Sequence, residues 1–147
     1  MARSIRHQVM DAVIDALEGI TDVQKVSESL ESYEQIDKKD LPAVFPIDAD
    51  EPREYAVMPQ SSDVDVQAAL EVIVTCVVYD RYDNTRQQRT DLMRDVGKAM
   101  LNDTTLEALI LYIEPMGVVT DKGTIPNFSI WDQSYRITYR FDSADGG

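Results

Sequence analysis

Between Ala68 and Tyr79 the chain alternates in a way that admits few folds. Leu70, Val72, Val74, Cys76 and Val78 fall on one face of an extended strand. Ile73, Val77 and Tyr79 fall on the other, beside Glu71 and Thr75. Side chains alternate across a strand with a period of two, so apolar residues on both faces predict a central strand. Such a strand needs neighbours on both edges and another layer against its apolar surface.

Two amphipathic segments can supply that layer. Residues 3–18 place Ile5, Val9, Ala12, Val13, Ala16 and Leu17 at helical spacing, and Gly19 follows as a stop signal. Thr85–Leu101 places Leu92, Val96, Ala99 and Met100 on one stripe, with Asn84 or Thr85 as its cap. Thr104 and Glu107 have the spacing of a capping box, which predicts a further helical turn. The remaining segments read as strands. Val23–Ser27 is rich in β-branched residues. Leu41–Asp48 carries Pro42 and Pro46, which lack an N–H, so it is expected at a sheet edge at most. Leu109–Thr120 and Phe128–Phe141 read as a hairpin turning at Asp121-Lys122-Gly123. In the last strand Trp131, Tyr135, Ile137, Tyr139 and Phe141 share a face, opposite Asp132, Ser134, Arg136, Thr138, Arg140 and Asp142.

The order helix, strands, helix, strands predicts an α+β fold: a mixed, mostly antiparallel sheet with two main helices packed on one face. At 147 residues the chain is expected to form a single domain across 1–147. The expected core is Val9, Val13, Leu17, Val72, Val74, Cys76, Leu92, Val96, Trp131, Ile137 and Tyr139. Residues 49–67 hold Pro52, Pro59 and several acids, and read as a long acidic loop, expected to serve contacts with neighbours and not the core. Ser143–Gly147 reads as a short polar tail. Met1–Met10 has no apolar run after its basic residues, and is expected not to be a secretory signal.

Charge narrows the function classes. There are 27 acids against 14 Lys and Arg, giving −13. Binding nucleic acid by phosphate neutralisation needs a basic footprint, and an anionic membrane surface asks the same. Neither is expected. Cys76 is the single cysteine, so no intrachain disulfide can form. His7 is the single histidine. With one imidazole on a helix and one thiol in mid-strand, a hydrolytic triad is not expected; a surface histidine and a buried small hydrophobe are the plain readings. Thr120-Asp121-Lys122-Gly123-Thr124 has a faint likeness to the phosphorylation motif of ion-pumping ATPases, but Asp and Gly are what a turn needs there. Asp48, Asp50 and Glu51 with Asp63 and Asp65 could gather a hard cation, yet no calcium-loop pattern is present. No catalytic residue, cofactor or metal is expected.

The charges are unevenly spread. Glu28–Glu54 holds nine acids against three bases, whereas Arg81–Lys98 holds five bases against three acids. Such a split suits a solvated helix and loop, or complementary surfaces between subunits. The candidate seam pairs Arg81, Arg86, Arg89 and Arg94 with Asp48, Asp50, Glu51 and Glu54. Arginine suits a seam because its planar fork can hold a carboxylate at two points.

The sequence Leu41-Pro42-Ala43-Val44-Phe45, the strand Leu70-Glu71-Val72-Ile73-Val74 and the run Asp91-Leu92-Met93-Arg94-Asp95-Val96 to Asn102-Asp103-Thr104-Thr105-Leu106 come in a suggestive order. With the N-terminal amphipathic helix and closing aromatic strands, the chain resembles the tail terminator (tail completion) proteins of long-tailed bacteriophages, the lambda minor tail protein U type among them. The resemblance covers about residues 3–141. It implies a non-enzymatic virion protein in a homohexameric ring at the head-proximal end of the tail tube, assembled in the host cytoplasm. Its implied partners are itself, the tail tube protein and a neck or head-completion protein. DNA would pass through the lumen without specific binding, and an acidic lumen would let it slide. A neck or connector protein, or an acidic binding domain outside phage, are the alternative readings.

Overall fold

The computed structural model describes residues 4–55, 65–82 and 84–146. The first helix, α1, spans Ile5–Glu18, and Ser4 caps it by accepting from the His7 N–H. A two-residue strand, β1, follows at Lys25–Val26, within the expected Val23–Ser27. Then come β2 (Ala43–Asp48), β3 (Arg53–Tyr55) and the long β4 (Asp65–Tyr79). Helix α2 runs over Arg86–Asn102 and α3 over Thr104–Leu109. The chain closes with β5 (Tyr112–Thr120) and β6 (Phe128–Asp142).

The strands form one sheet in the order β1-β2-β4-β6-β5, with β3 paired to β4 beyond the end of β2. Only the β1–β2 pair is parallel. The fold is therefore α+β, with a mostly antiparallel mixed sheet and the two main helices on one face, as the pattern of periods predicts. The β4–β6 ladder pairs Asp65 with Asp142 at one end and Tyr79 with Phe128 at the other.

The core lies between the sheet and the helices. Val9, Val13 and Leu17 from α1 and Leu92, Val96 and Met100 from α2 meet Val72, Val74, Cys76, Trp131, Ile137 and Tyr139 there, all buried. Each full burial of a Val or Leu side chain is worth about 1.5–3 kcal/mol, so the helical stripes hold the layers together. On the opposite face of β4 the described residues form a second apolar cluster at one end. There Ile36, with Tyr33 and Leu41, packs on Ala43, Phe45 and Val77. Farther along, Ala69, Glu71 and Ile73 are half-buried.

Four local expectations are corrected. Strand β2 is not the sheet edge along its whole length: over Ala43 and Val44 it lies between β1 and β4. Pro46 falls past the end of β1, where β2 has a partner on one side only, so its missing donor is tolerated. The α3 cap is Asp103, whose carboxylate accepts from the Leu106 N–H at 2.8 Å. Thr104 is already helical, so the cap falls to the aspartate one position earlier, which takes the Leu106 N–H in place of the Glu107 N–H. Leu109 closes α3 and does not begin a strand.

The fourth correction concerns 49–67. Its flanks belong to the sheet: Arg53–Tyr55 pairs with Val66–Ala68 of β4, and β4 begins at Asp65. Between β2 and β3 the chain keeps hold of β4, because Ala49 N–H donates to the Glu71 carbonyl and Ala69 N–H to the Pro52 carbonyl. Backbone groups beside a sheet must be paired, and pairing won over the loop-like composition. The central part of that loop, with Pro59 and Asp63, lies outside the described residues.

The hairpin turn behaves as its residues require. The Asp121 Oδ1 accepts from the Gly123 N–H at 3.0 Å, and Lys122 and Gly123 both have positive φ. Glycine removes the Cβ clash at the second of these positions.

Candidate assembly surfaces

Six of the eight seam candidates fall into two groups separated along the sheet, and Arg94 and Glu51 are engaged elsewhere. Helix α2 starts beside the C-terminal end of β4. Arg89 donates to the Ser129 hydroxyl at 3.2 Å, and Ser129 sits opposite Val78. Arg86 is exposed one turn earlier. Arg81 follows the strand directly, and its guanidinium lies 4.6 Å from the Tyr82 ring centroid. Lys38 reaches this end through a 3.1 Å bond to the Tyr79 hydroxyl, and its turn brings Lys39 together with Asp37 and Asp40. Asp80 is the one carboxylate described between Tyr79 and Arg86; it accepts from the Tyr82 N–H and from Gln88.

Carboxylates gather towards the other end. Asp48 is opposite Val72, and Glu54 is opposite Gln67. The end rung of the ladder adds Asp65 and Asp142. Arg6, Arg53 and Arg140 offset part of this charge. From Val78 to Gln67 is eleven positions, or roughly 36 Å at about 3.3 Å per residue. The structure thus keeps Arg81, Arg86 and Arg89 away from Glu54 within one chain.

Arg94 does not join the basic end. It lies farther along α2 and bonds its own helix, with Asp95 at 3.1 Å and Asp91 at 3.8 Å. The Asp95 hydrogen bond holds its guanidinium above the ordinary range.

Glu51 does not sit in a free loop. Its carboxyl side chain is only 3% exposed and is engaged inside its own chain. Arg53 Nε donates to it at 2.6 Å, Arg6 approaches at 3.6 Å, and the Tyr139 hydroxyl donates to its other oxygen. Arg6 also donates to Asp48 at 2.7 Å, which raises the Arg6 pKa above its usual value. Burial, then the bond to Glu51, pushes the Tyr139 phenol well above the tyrosine range. The expectation that residues 49–67 contribute nothing to the monomer's interior is corrected at this residue. A carboxylate two positions before Arg53 on a turning chain can fold back onto α1 and β6, and it is held there by two donors, Arg53 and Tyr139, and by the charge of Arg6 at 3.6 Å. Asp50 and Glu54 remain exposed.

The two residues weighed for catalysis occupy plain settings. His7 is about half exposed, with Nε2 3.4 Å from Asp11 on the next helical turn. Cys76 is fully buried, and desolvation pushes its thiol far above the usual range, which favours the protonated form. Among the described residues no three His, Cys, Asp or Glu side chains cluster as metal ligands. Asp63, one of the acids considered for a cation, lies outside them.

One buried polar group escaped the strand pattern. Gln133 sits on the core face between Trp131 and Tyr135, 4% exposed. Its Oε1 accepts from Trp131 Nε1 at 2.8 Å, and its Nε2 donates to the Met93 carbonyl at 3.3 Å and the Tyr135 hydroxyl at 3.0 Å. The signal was the unbroken odd-numbered alternation from Ser129 to Phe141, which places Gln133 inward whatever its polarity. By tying β6 to the backbone of α2, it fixes the position of the helix that carries Arg86 and Arg89.

Comparison with models of protein families and with curated proteins finds no match to this chain.

Proposed function

We propose that this chain is a non-enzymatic structural subunit that assembles into a ring at the head-proximal end of a phage tail tube. There it ends tube polymerisation and offers a joining surface to a neck protein, while DNA passes through the lumen. The observation that carries this reading is the charge polarity along the sheet. Arg81, Arg86 and Arg89 lie at one end, and the exposed Asp48, Asp50 and Glu54 lie toward the other, where Arg6, Arg53 and Arg140 offset only part of the charge; Arg89 and Glu54 stand roughly 36 Å apart along β4. That distance is several times the Debye length of about 8 Å at physiological salt, so the two groups do not satisfy each other inside a subunit. Between subunits or stacked layers they are complementary, end to tail. Opposed ends of this kind suit an assembly that grows or terminates along an axis, and complementary potentials fix its direction more than its strength.

Electron microscopy of the purified protein, alone and mixed with tail tubes, tests the reading. Rings of one diameter seated at a single end of the tubes, with tube growth halted, are expected. A protein that stays monomeric beside purified tubes and leaves their growth unchanged rejects it.

A further inference from the structure

Arg6, the second residue of α1, has two acceptors within reach. Its Nη2 donates to the Asp48 carboxylate at 2.7 Å, and its Nε reaches the same oxygen at 3.3 Å. Its Nη1 lies 3.6 Å from the Glu51 carboxylate. The two acceptors differ. The Asp48 side chain is 44% exposed at the end of β2, whereas that of Glu51 is almost wholly buried. Asp48 is also one of the three exposed carboxylates offered to a neighbour, together with Asp50 and Glu54. Among the described residues, it alone of the three is paired with an arginine of its own chain.

We infer that Arg6 makes an autoinhibitory contact: it occupies Asp48 in the free subunit and must leave before an arginine of a second copy can dock there. A guanidinium binds a carboxylate best through two donors at once, and Arg6 already commits Nε and Nη2 to Asp48. Displacement costs little, for two reasons. The pair is partly exposed, and such pairs contribute little. Arg6 is also not stranded when it leaves, because Glu51 already stands within 3.6 Å of Nη1. Released from Asp48, it turns inward to a carboxylate that Arg53 and Tyr139 hold in place. A single approaching arginine therefore exchanges one ion pair for another and gains almost nothing at Asp48. Several arginines presented together also meet Asp50 and Glu54, and only then does the exchange favour docking. The contact keeps free subunits apart and lets them engage a partner that offers an array of cations. For the identity of the docking arginines, the inference rests on the reading that neighbouring subunits meet through opposite charges.

The probe is hexa-arginine, titrated into the full chain at low salt, where exposed pairs are least screened, with binding followed by calorimetry. Arg6→Gln should tighten binding by about two- to fivefold, the span of one exposed ion pair. In the Asp48→Asn background the same substitution should change nothing, since no masked carboxylate is left to uncover. Equal tightening in both backgrounds assigns the gain to net charge, and no gain in either shows that Arg6 masks nothing; each result overturns the inference. Melting curves check that the variants fold. The parent supplies a readout that needs no variant: the Arg6 Nε–H resonance should shift as the peptide saturates the protein, and an unmoved resonance overturns the inference as well. The ring reading fails separately. A mask measured with the peptide, in a chain that never forms rings beside tail tubes, keeps the autoinhibitory contact and sinks the ring. Rings that form at one concentration with or without Arg6→Gln, while both backgrounds tighten equally toward the peptide, do the reverse.

Discussion

The phenol of Tyr139 donates to the carboxylate of Glu51, joining the last strand to the turn between β2 and β3 across 88 positions of sequence. With Arg6 and Arg53 on the same carboxylate, three separate segments meet at one buried acid.

Glu51→Ala should therefore destabilise the monomer by about 1–3 kcal/mol, because it leaves the Tyr139 hydroxyl and a guanidinium without their acceptor. Asp50→Ala, at an exposed neighbour, should stay within about 0.5 kcal/mol of the parent. Urea denaturation of the two variants checks the contrast. Equal midpoints would show that the Glu51 knot contributes nothing.

Alkaline pH should act through Tyr139. Its folded pKa is raised above the ordinary tyrosine value of 10.0, by burial first and Glu51 second. The folded state thus holds the phenolic proton more tightly than the unfolded chain does. The resulting stability is fully present below the unfolded value and is lost as pH rises through it toward the folded value. Melting temperature should fall above about pH 10, and Tyr139→Phe should show a shallower decline over the same range. Parallel declines would assign the alkaline loss to other groups.

Gln133→Ala should cost about 1–3 kcal/mol, since it strands the indole N–H of Trp131 and loosens α2 from β6. Trp131 is the sole tryptophan, so its fluorescence reports the change directly. An unaltered emission maximum and an unaltered melting temperature would mean that water replaces the amide without loss.

Val74→Asp should abolish soluble folded protein. Val74 is fully buried on the core face of β4, and an unpaired charge there costs several kcal/mol. Expression with parental melting behaviour would contradict the central position of the strand.

Reversal of the basic end by Arg86→Glu/Arg89→Glu should weaken ring formation or docking on tubes while the fold persists. Each exposed pair is worth only about 0–1 kcal/mol, so single reversals should do little. Adding Arg94→Glu should bring little more, because Arg94 is engaged with Asp91 and Asp95 of its own helix. Native mass spectrometry and tube-binding assays read the outcome; rings as stable as the parent's would remove Arg86 and Arg89 from the interface.

The fold was legible where one face of an element is apolar and the other is not. Val9, Val13 and Leu17, or Trp131, Ile137 and Tyr139, announce their faces by period alone, and all are buried. Legibility failed where backbone pairing, and not side-chain burial, decides structure. Arg53, Glu54 and Tyr55 are all exposed, so no hydrophobic alternation marks β3. It failed again where a polar residue goes inside. Glu51 and Gln133 each have partners two residues away, Arg53 for one and Trp131 and Tyr135 for the other, but what turns them inward lies far off in sequence, Arg6 and Tyr139 for Glu51 and the Met93 carbonyl for Gln133, and a linear pattern carries no trace of those. Among the seam candidates, composition separated bases from acids, but only the strand register revealed that Arg89 and Glu54 stand at opposite ends of β4, and only the ion pairs of α2 revealed that Arg94 belongs with neither.

The β4–β6 ladder also bears on how the chain finds its shape. Its rungs join residues 49 positions apart at Tyr79–Phe128 and 77 apart at Asp65–Asp142. Closing a loop costs more entropy the longer it is, and contacts distant in sequence slow folding. The shorter loop also ends in aromatic contact, since the Tyr79 and Phe128 rings lie 5.0 Å apart and Tyr33 meets the same Phe128 ring. Zippering should begin at that end and run toward Asp65–Asp142. The acidic end would then be the last part of the sheet to form and the first to fray.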